Sequence, residues 1–230
     1  GGGEEYWQGA VWFWFSLEIV SIDGQVHFYI RTPTRIRGLI ETQMYAQYPQ
    51  AQVKEVEDYT LAIDEISERS AWNGWGCEFG LLKKDLYPVR TYIDYELDKD
   101  PKEEYKIDPI SPVVEFFGSL KKGEQAWLQI VVTPSKKEYH TEGTWFGKHD
   151  WVAEARTNLF EILEPFTSHR ALADEPGKFS REVREPKFMS PTVEKIGRKT
   201  SKLGFDTGIR LMYIAKKEIF PIGTRTNNSR

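Results

Sequence analysis

Residues 15–59 read FSLEIVSIDGQVHFYIRTPTRIRGLIETQMYAQYPQAQVKEVEDY, and this stretch decides the predicted fold. Leu17, Ile19 and Ser21 alternate with Glu18 and Val20, which is the two-residue period of a strand. Asp23-Gly24 follows, a dipeptide that readily takes the positive φ of a tight hairpin turn. A second alternating run from Gln25 to Ile30 predicts a returning strand.

The same stretch continues into a predicted helix and a third strand. Thr32 is a suitable N-cap, and Pro33 suits the first helical turn, where its missing N–H is no loss. A stripe follows that is apolar apart from two glutamines, formed by Ile36, Leu39, Ile40, Gln43, Met44 and Gln47. We expect the helix to end at Tyr48, because the residue before a proline is disfavoured in the α region. Val53 and Val56 are then predicted to lie in a strand, which completes a ββαβ unit.

A second unit with the same order is predicted after an acidic connection with a turn at Asn73-Gly74. Its strand candidates are Cys77–Lys83, Val89–Tyr95 and Trp127–Val132, and its helix begins with Asp108 as N-cap and Pro109 in the first turn. Two successive ββαβ units predict an α+β fold of the ferredoxin-like, split βαβ kind. Its sheet would be rich in antiparallel pairs, with helices on one face.

The remaining chain is predicted to be less regular before it returns to the sheet. Helical spacing runs from Trp151 to Leu163, the polar stretch Thr167–Lys187 is predicted to link or loop, and Ser190-Pro191 begins another helix. An alternating run from Phe205 to Ala215 predicts a final strand in the same sheet. The predicted divisions are a paired core at 1–134, a polar linker with one helix at 135–188, a returning helix and strand at 189–222, and a disordered tail at 223–230.

Composition excludes some classes of protein. A net charge of -4 and an isoelectric point near 5.7 argue against a protein that coats nucleic acid by neutralising phosphates. The single cysteine, Cys77, permits neither an internal disulfide nor a thiolate zinc site. No apolar run approaches the roughly 20 residues that a membrane span needs. The start at Gly1-Gly2-Gly3 and the polar end indicate a piece of a longer polypeptide, or a processed or trimmed form.

An aromatic cluster precedes the first strand and has two interpretations. Its members are Tyr6, Trp7, Trp12, Phe13, Trp14 and Phe15. We expect them to form the inward face of that strand and a packing segment. The alternative is a segment next to a membrane, because aromatic rings are enriched at membrane interfaces.

No constellation of residues predicts catalysis, a cofactor or a metal. The run Ile196–Ser201 resembles the end of a phosphate-binding loop, but Lys199 is not preceded by glycine and the run lies at the end of a helix. His27 is predicted to be an exposed strand residue, and a weak metal site at His140 and His149 remains an open alternative. The acidic residues Glu55, Glu57, Asp58, Asp64, Glu65 and Glu68 are predicted to form a solvated face rather than a catalytic carboxylate pair.

A basic cluster near the first helix supplies an alternative function. Arg31, Arg35 and Arg37 lie close in sequence to the strand aromatics Phe28 and Tyr29, and Lys54 follows the predicted first helix. Exposed rings beside basic groups are the means by which some open sheets bind single-stranded RNA. This alternative requires the four basic residues to gather on one face with exposed aromatics.

Four blocks carry a resemblance to a known family. They read FSLEIVSIDGQVHFYIRTP, ETQMYAQYPQAQVKEVEDYT, IDPISPVVEFFGSLKKGEQAWLQIVVTP and KLGFDTGIRLMYIAKKEIF. In this order they resemble a region of unknown function in large membrane-anchored proteins of candidate-phyla bacteria. There the region follows transmembrane segments and precedes a HerA- or TraG-like ATPase domain of the type IV secretion and conjugation class. The family offers no catalytic residue in this region that could be transferred.

The resemblance implies a non-catalytic accessory or assembly domain of a secretion or DNA-transfer ATPase. Such a domain would act by protein–protein interaction or self-association, at the cytoplasmic face of the membrane. It would expose an apolar patch or an unpaired strand edge. The alternatives are the single-stranded nucleic-acid-binding module and a free-standing enzyme of unknown class, which would need a deep pocket with converging titratable groups.

Overall fold

The computed structural model describes residues 13–63, 66–67, 69–83, 85, 87–95, 108–135, 138–140, 148–171, 179–183 and 190–221. For residues 138–140, 148–149, 166–171, 179–183 and 190 it describes the backbone alone. The predicted roles of Tyr6, Trp7 and Trp12 lie outside the described residues, as do those of Asp64, Glu65 and Glu68. The predicted tail at 223–230 lies outside them too.

Within the described residues the chain forms strands, α-helices and short 3-10 helices. The strands are Phe15–Ile22 (β1), Gln25–Arg31 (β2), Trp72–Phe79 (β3), Glu124–Pro134 (β4), Glu138–His140 (β5), Lys148–Asp150 (β6), Thr167–Ala171 (β7), Phe179–Val183 (β8) and Phe205–Lys216 (β9). The α-helices are Arg37–Gln47 (α1), Ser111–Gly118 (α2), Trp151–Leu163 (α3) and Ser190–Thr200 (α4). The 3-10 helices are Thr34–Ile36, Tyr59–Ala62, Tyr92–Tyr95 and Glu164–Phe166.

The chain divides into two compact units. Unit 1 comprises residues 1–80, 107–133 and 206–230, and unit 2 comprises residues 81–106 and 134–205. Unit 1 holds a five-stranded sheet in the order β2-β1-β4-β9-β3. Unit 2 holds α3, α4 and two separate hairpins, β5-β6 and β7-β8.

The sheet confirms the predicted α+β class and its antiparallel character. β1 pairs antiparallel with both β2 and β4, and β3 pairs antiparallel with β9. The predicted apolar strand at 127–132 is the central strand, β4, and the predicted last strand, β9, lies beside it. This order does not confirm the arrangement of two ferredoxin-like units.

Two predicted strands are wrong. Residues 51–58 form no strand, and Val53 and Val56 are exposed. Their spacing of three places them on opposite sides of an extended chain, so they could not share a buried face. Residues 92–95 form a 3-10 helix rather than a strand, because the Asp94 carboxylate accepts hydrogen bonds from the backbone and hydroxyl of Thr91.

β3, an outermost strand of the sheet, begins where a turn was predicted. Asn73-Gly74 lies inside β3, so the predicted turn is wrong. A Cβ on Gly74 would lie 2.6 Å from Cδ1 of Ile66, which shows that this glycine marks a close approach between segments. The stretch 167–187, predicted to be a link or loop, contains the hairpin of β7 and β8.

Several helix boundaries are confirmed. α1 ends with Tyr48 as its C-cap, α3 spans Trp151–Leu163, and α4 begins at Ser190. α2 begins three residues after its predicted cap, at Ser111. The Asp108 carboxylate instead accepts a hydrogen bond from the Ile110 backbone at 2.9 Å, which closes a turn before the helix.

The predicted hairpin turn at Asp23-Gly24 is confirmed and is tied to the start of β4. Both residues have positive φ, 54° and 83°, as a type I′ turn requires. Asp23 Oδ1 accepts a hydrogen bond from the Gly123 backbone at 2.7 Å, and the Asp23 backbone donates to the Glu124 carbonyl at 3.0 Å. A Cβ on Gly24 would lie 2.4 Å from the Leu120 carbonyl oxygen. The turn therefore fixes β1 and β2 against the chain that enters β4.

The core of unit 1 lies on the face of the sheet that carries Glu18 and Val20. Val20, Trp127 and Ile214 are buried there, and Tyr59 and Trp72 pack against them. On β2, the sequence predicted that His27 would be exposed, and this prediction is wrong. His27 and Tyr29 are instead half-buried on the core face, opposite Val20 and Glu18, and Phe28 is 69% exposed.

Unit 2 has its own small core between α3 and α4. Ala155 and Ile196 are buried there, with Tyr87, Leu159 and Ile162 packed around them. The 3-10 helix at 92–95 is tied to α4 by an ion pair between Asp94 and Lys195. The hydrogen bond from Lys195, followed by that from the Thr91 backbone, lowers the pKa of Asp94 to about 2.

We expect Gly24→Ala to lower the free energy of unfolding by more than about 2 kcal/mol, because an L-residue in the left-handed region costs about 1–2 kcal/mol and the new methyl group meets a backbone carbonyl. Gly38→Ala is the matched control. Gly38 lies in α1 with open space around it, so this change should stabilise by about 0.5–1 kcal/mol. Urea unfolding measures both, and a Gly24→Ala protein as stable as wild type would contradict the described turn.

Candidate functional site

Polar side chains meet on the buried face of the sheet, in what we call the Glu18 cluster, which consists of Ser16, Glu18, Tyr59, Gln129 and Arg210. Glu18 is only 5% exposed and Gln129 only 2%. The Glu18 carboxyl accepts hydrogen bonds from the hydroxyls of Ser16 and Tyr59 and, at 3.3 Å, from Gln129 Nε2. Arg210 Nε donates to Gln129 Oε1 at 2.5 Å, which links the cluster to β9.

The Glu18 cluster joins three strands to the segment that covers them. Glu18 comes from β1, Gln129 from β4 and Arg210 from β9, whereas Tyr59 begins the 3-10 helix at 59–62. Gln129 Nε2 lies 2.6 Å from the Tyr59 hydroxyl, so the amide contacts both of its partners. The Glu18 carboxyl already has three donors and no second carboxylate in the cluster. This geometry suits structural anchoring better than acid–base chemistry.

A row of stacked rings reinforces the same contact. His27 and Tyr29 stack with centroids 5.7 Å apart, and Tyr29 stacks on Tyr59 at 5.1 Å. Tyr59 meets the Trp127 ring edge-on at 5.0 Å. The row runs from the outer strand β2 to the central strand β4. It explains why His27 and Tyr29 face the core, although the pattern of β2 predicted otherwise.

Sequence reasoning did not find the Glu18 cluster. The signal was present, because Glu18 interrupts the apolar run of β1 and Gln129 interrupts the apolar run of β4. A charged or amide side chain inside a strand that is covered on its face requires hydrogen-bond partners. The pairing of Glu18 with Gln129 across neighbouring strands depends on the register, which the sequence does not show.

Of the four basic residues of the nucleic-acid alternative, Arg31 and Arg37 pair with acidic side chains and Arg35 lies over a ring. Arg31 forms an ion pair with Asp58 at 2.8 Å, and Arg37 forms ion pairs with Glu41 at 2.7 Å and Glu55 at 2.5 Å. The Arg35 guanidinium carbon lies 4.5 Å from the centroid of the Phe13 ring. Lys54 is exposed.

These pairs also account for the acidic run that ends at Asp58. Glu55 pairs with Arg37, and Asp58 pairs with Arg31 while its carboxylate caps the 3-10 helix through Thr60. The hydrogen bond from the Thr60 hydroxyl is the main cause that lowers the pKa of Asp58. Arg31 and Arg37 of the basic cluster are therefore partly neutralised by Asp58 and Glu55, which reduces the positive potential that phosphate binding would use.

The other sequence candidates add no convergent chemistry in the described part of the chain. No group of three or more His, Cys, Asp or Glu side chains there could hold a metal ion. The side chains of His140 and His149 lie outside the described atoms, although their strands pair as a hairpin. A surface depression after α1 is lined by residues 47–51, and Tyr48 is the titratable side chain in its lining.

The opposite face of the sheet carries an exposed apolar surface, which we call the apolar face. Leu17 lies directly opposite Ile30 and Ile130, and Ile19 lies directly opposite Phe28 and Leu128, so the six residues share one face of β1, β2 and β4. Leu17 is 44% exposed and Phe28 is 69% exposed, and the other four are half-buried.

One short helix covers the end of this face. α2 packs on it through the buried Phe117, whose carbonyl accepts a hydrogen bond from Ser21 Oγ at 2.7 Å. Ser21 lies at the end of β1 next to the hairpin turn. The cover therefore reaches the Ser21 end of the sheet and leaves Leu17 and Phe28 accessible to solvent.

The fold and these surfaces define an α+β domain in which one sheet face is closed by a polar anchor and the other keeps exposed apolar side chains. Residues 14–221 match the family described as Domain of unknown function (DUF8128), and the chain belongs to that family. No curated protein and no solved structure matches the chain. None of the helices in the described ranges is long and apolar enough to cross a membrane.

We expect Tyr59→Phe to lower the free energy of unfolding by about 1–3 kcal/mol, because the change leaves the buried Glu18 carboxyl without one of its donors. Tyr48→Phe is the matched control, since Tyr48 is exposed and its change should fall within about 0.5 kcal/mol of wild type. Chemical denaturation monitored by circular dichroism compares the two. Equal effects of the two substitutions would show that the Tyr59 hydroxyl does not anchor its segment.

Stability should also fall as the pH rises above about 10. Burial, followed by the hydrogen bond to Glu124, raises the pKa of Tyr213 to about 12, and burial followed by the hydrogen bond to Glu18 raises the pKa of Tyr59. Tyrosines of the unfolded chain ionise at pH ~10. Between pH ~10 and ~12 the unfolded state therefore binds fewer protons than the folded state, and rising pH favours unfolding. Below about pH 10 this contribution is complete.

The measurement is urea unfolding at about pH 9 and about pH 11 for wild type and Tyr213→Phe. The variant has lost a tyrosine whose pKa is raised in the folded state, so its stability should fall less between these two pH values. An identical fall in both proteins would assign the alkaline loss to other groups.

Proposed function

We propose that this chain is a non-catalytic accessory or assembly domain that acts by binding protein, within a membrane-associated ATPase of secretion or DNA transfer. The apolar face is the observation that carries the binding role. In most domains a sheet face with six apolar residues across three strands is covered by another layer. Exposed apolar surface of this kind is typical of protein interaction sites.

The setting of the domain rests on the four sequence blocks and their resemblance. In the proteins that the blocks resemble, this region lies between transmembrane segments and an ATPase domain. We therefore place the domain at the cytoplasmic face of the membrane, with catalysis carried by another part of the parent polypeptide. Its partners are that motor or further copies of the domain. The role assigned to this chain is to position the motor, and it requires no cofactor.

The parent gene tests the setting. We expect sequence upstream of Gly1 to encode transmembrane segments and sequence downstream of Arg230 to encode a Gly-x-x-x-x-Gly-Lys-Ser/Thr phosphate-binding loop. An open reading frame without that loop would overturn the assignment to a secretion or transfer ATPase. It would leave the binding role of the apolar face to be tested separately with purified proteins.

We expect Leu17→Ala to weaken binding of this domain to the ATPase part of its parent polypeptide by about tenfold, because Leu17 is an exposed member of the apolar face. Leu39→Ala is the control, since Leu39 is 62% exposed but lies on α1. Isothermal titration calorimetry with the purified parts measures both dissociation constants. The apolar face is not the binding surface if the two variants bind as wild type does.

A further inference from the structure

β2 is an outermost strand of the sheet, and the hairpin turn determines which of its backbone groups point outward. In a two-residue type I′ hairpin, the residues that flank the turn exchange both backbone hydrogen bonds. Here those residues are Ile22 and Gln25. Hydrogen-bonded pairs then recur at every second residue, so Gln25, His27, Tyr29 and Arg31 bond to β1. The N–H and C=O groups of Val26, Phe28 and Ile30 face away from the sheet.

This outer edge has few of the features that usually prevent strands from pairing with another chain. β2 contains no proline or lysine, and its register with β1 runs without a bulge from Gln25 to Arg31. Its one charged residue, Arg31, stands at the end of the strand and is paired with Asp58. Among the described residues, no strand bonds to the outer edge. Within the described part of the chain this edge is therefore regular and unpaired, and no Lys, Arg, Asp or Glu stands at its centre.

The sequence of β2 is complementary to itself when two copies run antiparallel about Phe28. Val26 then lies opposite Ile30 of the second copy, His27 lies opposite Tyr29, and Gln25 lies opposite Arg31. Apolar residues meet apolar residues, an aromatic ring meets an aromatic ring, and an amide meets a guanidinium. No two like charges are opposed. Phe28 meets itself at the two-fold axis, and the outward N–H and C=O groups of Val26, Phe28 and Ile30 are the ones this register needs.

We propose that β2 pairs with β2 of a second copy of this chain, in antiparallel register about Phe28, and so joins two five-stranded sheets into one. The inference rests on the proposed binding role and names a partner for it. Because Phe28 also belongs to the apolar face, pairing brings the apolar faces of the two copies side by side. An unrelated peptide added to the same edge is the other possible occupant, and it would not require the register about Phe28.

The two-fold axis at Phe28 allows a charge-swap experiment on the 230-residue chain. Phe28→Lys places two ammonium groups opposite each other in the dimer, and Phe28→Glu places two carboxylates opposite each other. We expect sedimentation equilibrium to show a wild-type dimer, with each variant alone dimerising at least about tenfold more weakly. An equimolar mixture of the two variants should recover the dimer, because lysine then faces glutamate. Phe116→Lys is the control, since Phe116 is 57% exposed on α2 and should leave dimerisation unchanged.

Amide hydrogen exchange gives a second readout that does not depend on a substitution. We expect the amides of Val26, Phe28 and Ile30 to become protected as the wild-type concentration rises, whereas the amides of His27 and Tyr29 are protected at all concentrations. The proposal is overturned by a wild-type chain that stays monomeric at millimolar concentration, or by a dimer that the Phe28 variants do not weaken. A monomeric wild type with intact Leu17-dependent binding to the ATPase part would leave the proposed function standing.

Discussion

The burial of one carboxyl group determines how the sheet of unit 1 is covered. Glu18 stands near the middle of β1 with almost no exposure, and its oxygens must be given donors because an unsatisfied buried carboxyl is costly. Gln129 on the neighbouring strand supplies one donor, and Tyr59 supplies another. Tyr59 can do so only if the chain after α1 crosses this face. The hydrogen bonds of Glu18 and the stacked rings beside it therefore account for the position of the 59–62 segment.

The two faces of the sheet therefore differ in an unusual way: the covered face buries polar side chains, and the open face exposes apolar ones. The covered face contains Ser16, Glu18, Gln125 and Gln129 among its buried side chains, whereas the open face displays leucine, isoleucine and phenylalanine. In an ordinary half-exposed sheet the apolar residues are buried and the polar residues face water. Hydrogen bonding compensates the polar residues of the covered face. The exposed apolar residues of the open face have no such compensation within the described chain, and this contrast supports the proposed binding role of that face.

The local charge patterns in the sequence suggested two separate charged surfaces, which the tertiary structure does not contain. Three arginines followed by an acidic run suggested a basic surface and a separate acidic surface. In the structure the chain turns back after α1, so Glu55 reaches Arg37 and Asp58 reaches Arg31. Two patterns about 20 residues apart in the sequence thus become one set of ion pairs. The path of the loop determines which charges meet, and no periodic pattern in the sequence reveals that path.

The sequence by itself determined the elements that depend on local rules. Asp23-Gly24 takes positive φ and makes the hairpin, proline after Tyr48 ends α1, and the apolar run of β4 and the alternating run of β9 form strands. Only the tertiary structure decided the order of the strands, the face on which Tyr29 and Phe28 lie, and the partners of Glu18. Each of these depends on which distant segments meet. An alternating strand fits either face until a neighbour such as Tyr59 supplies the hydrogen bonds and ring contacts that make one face the interior.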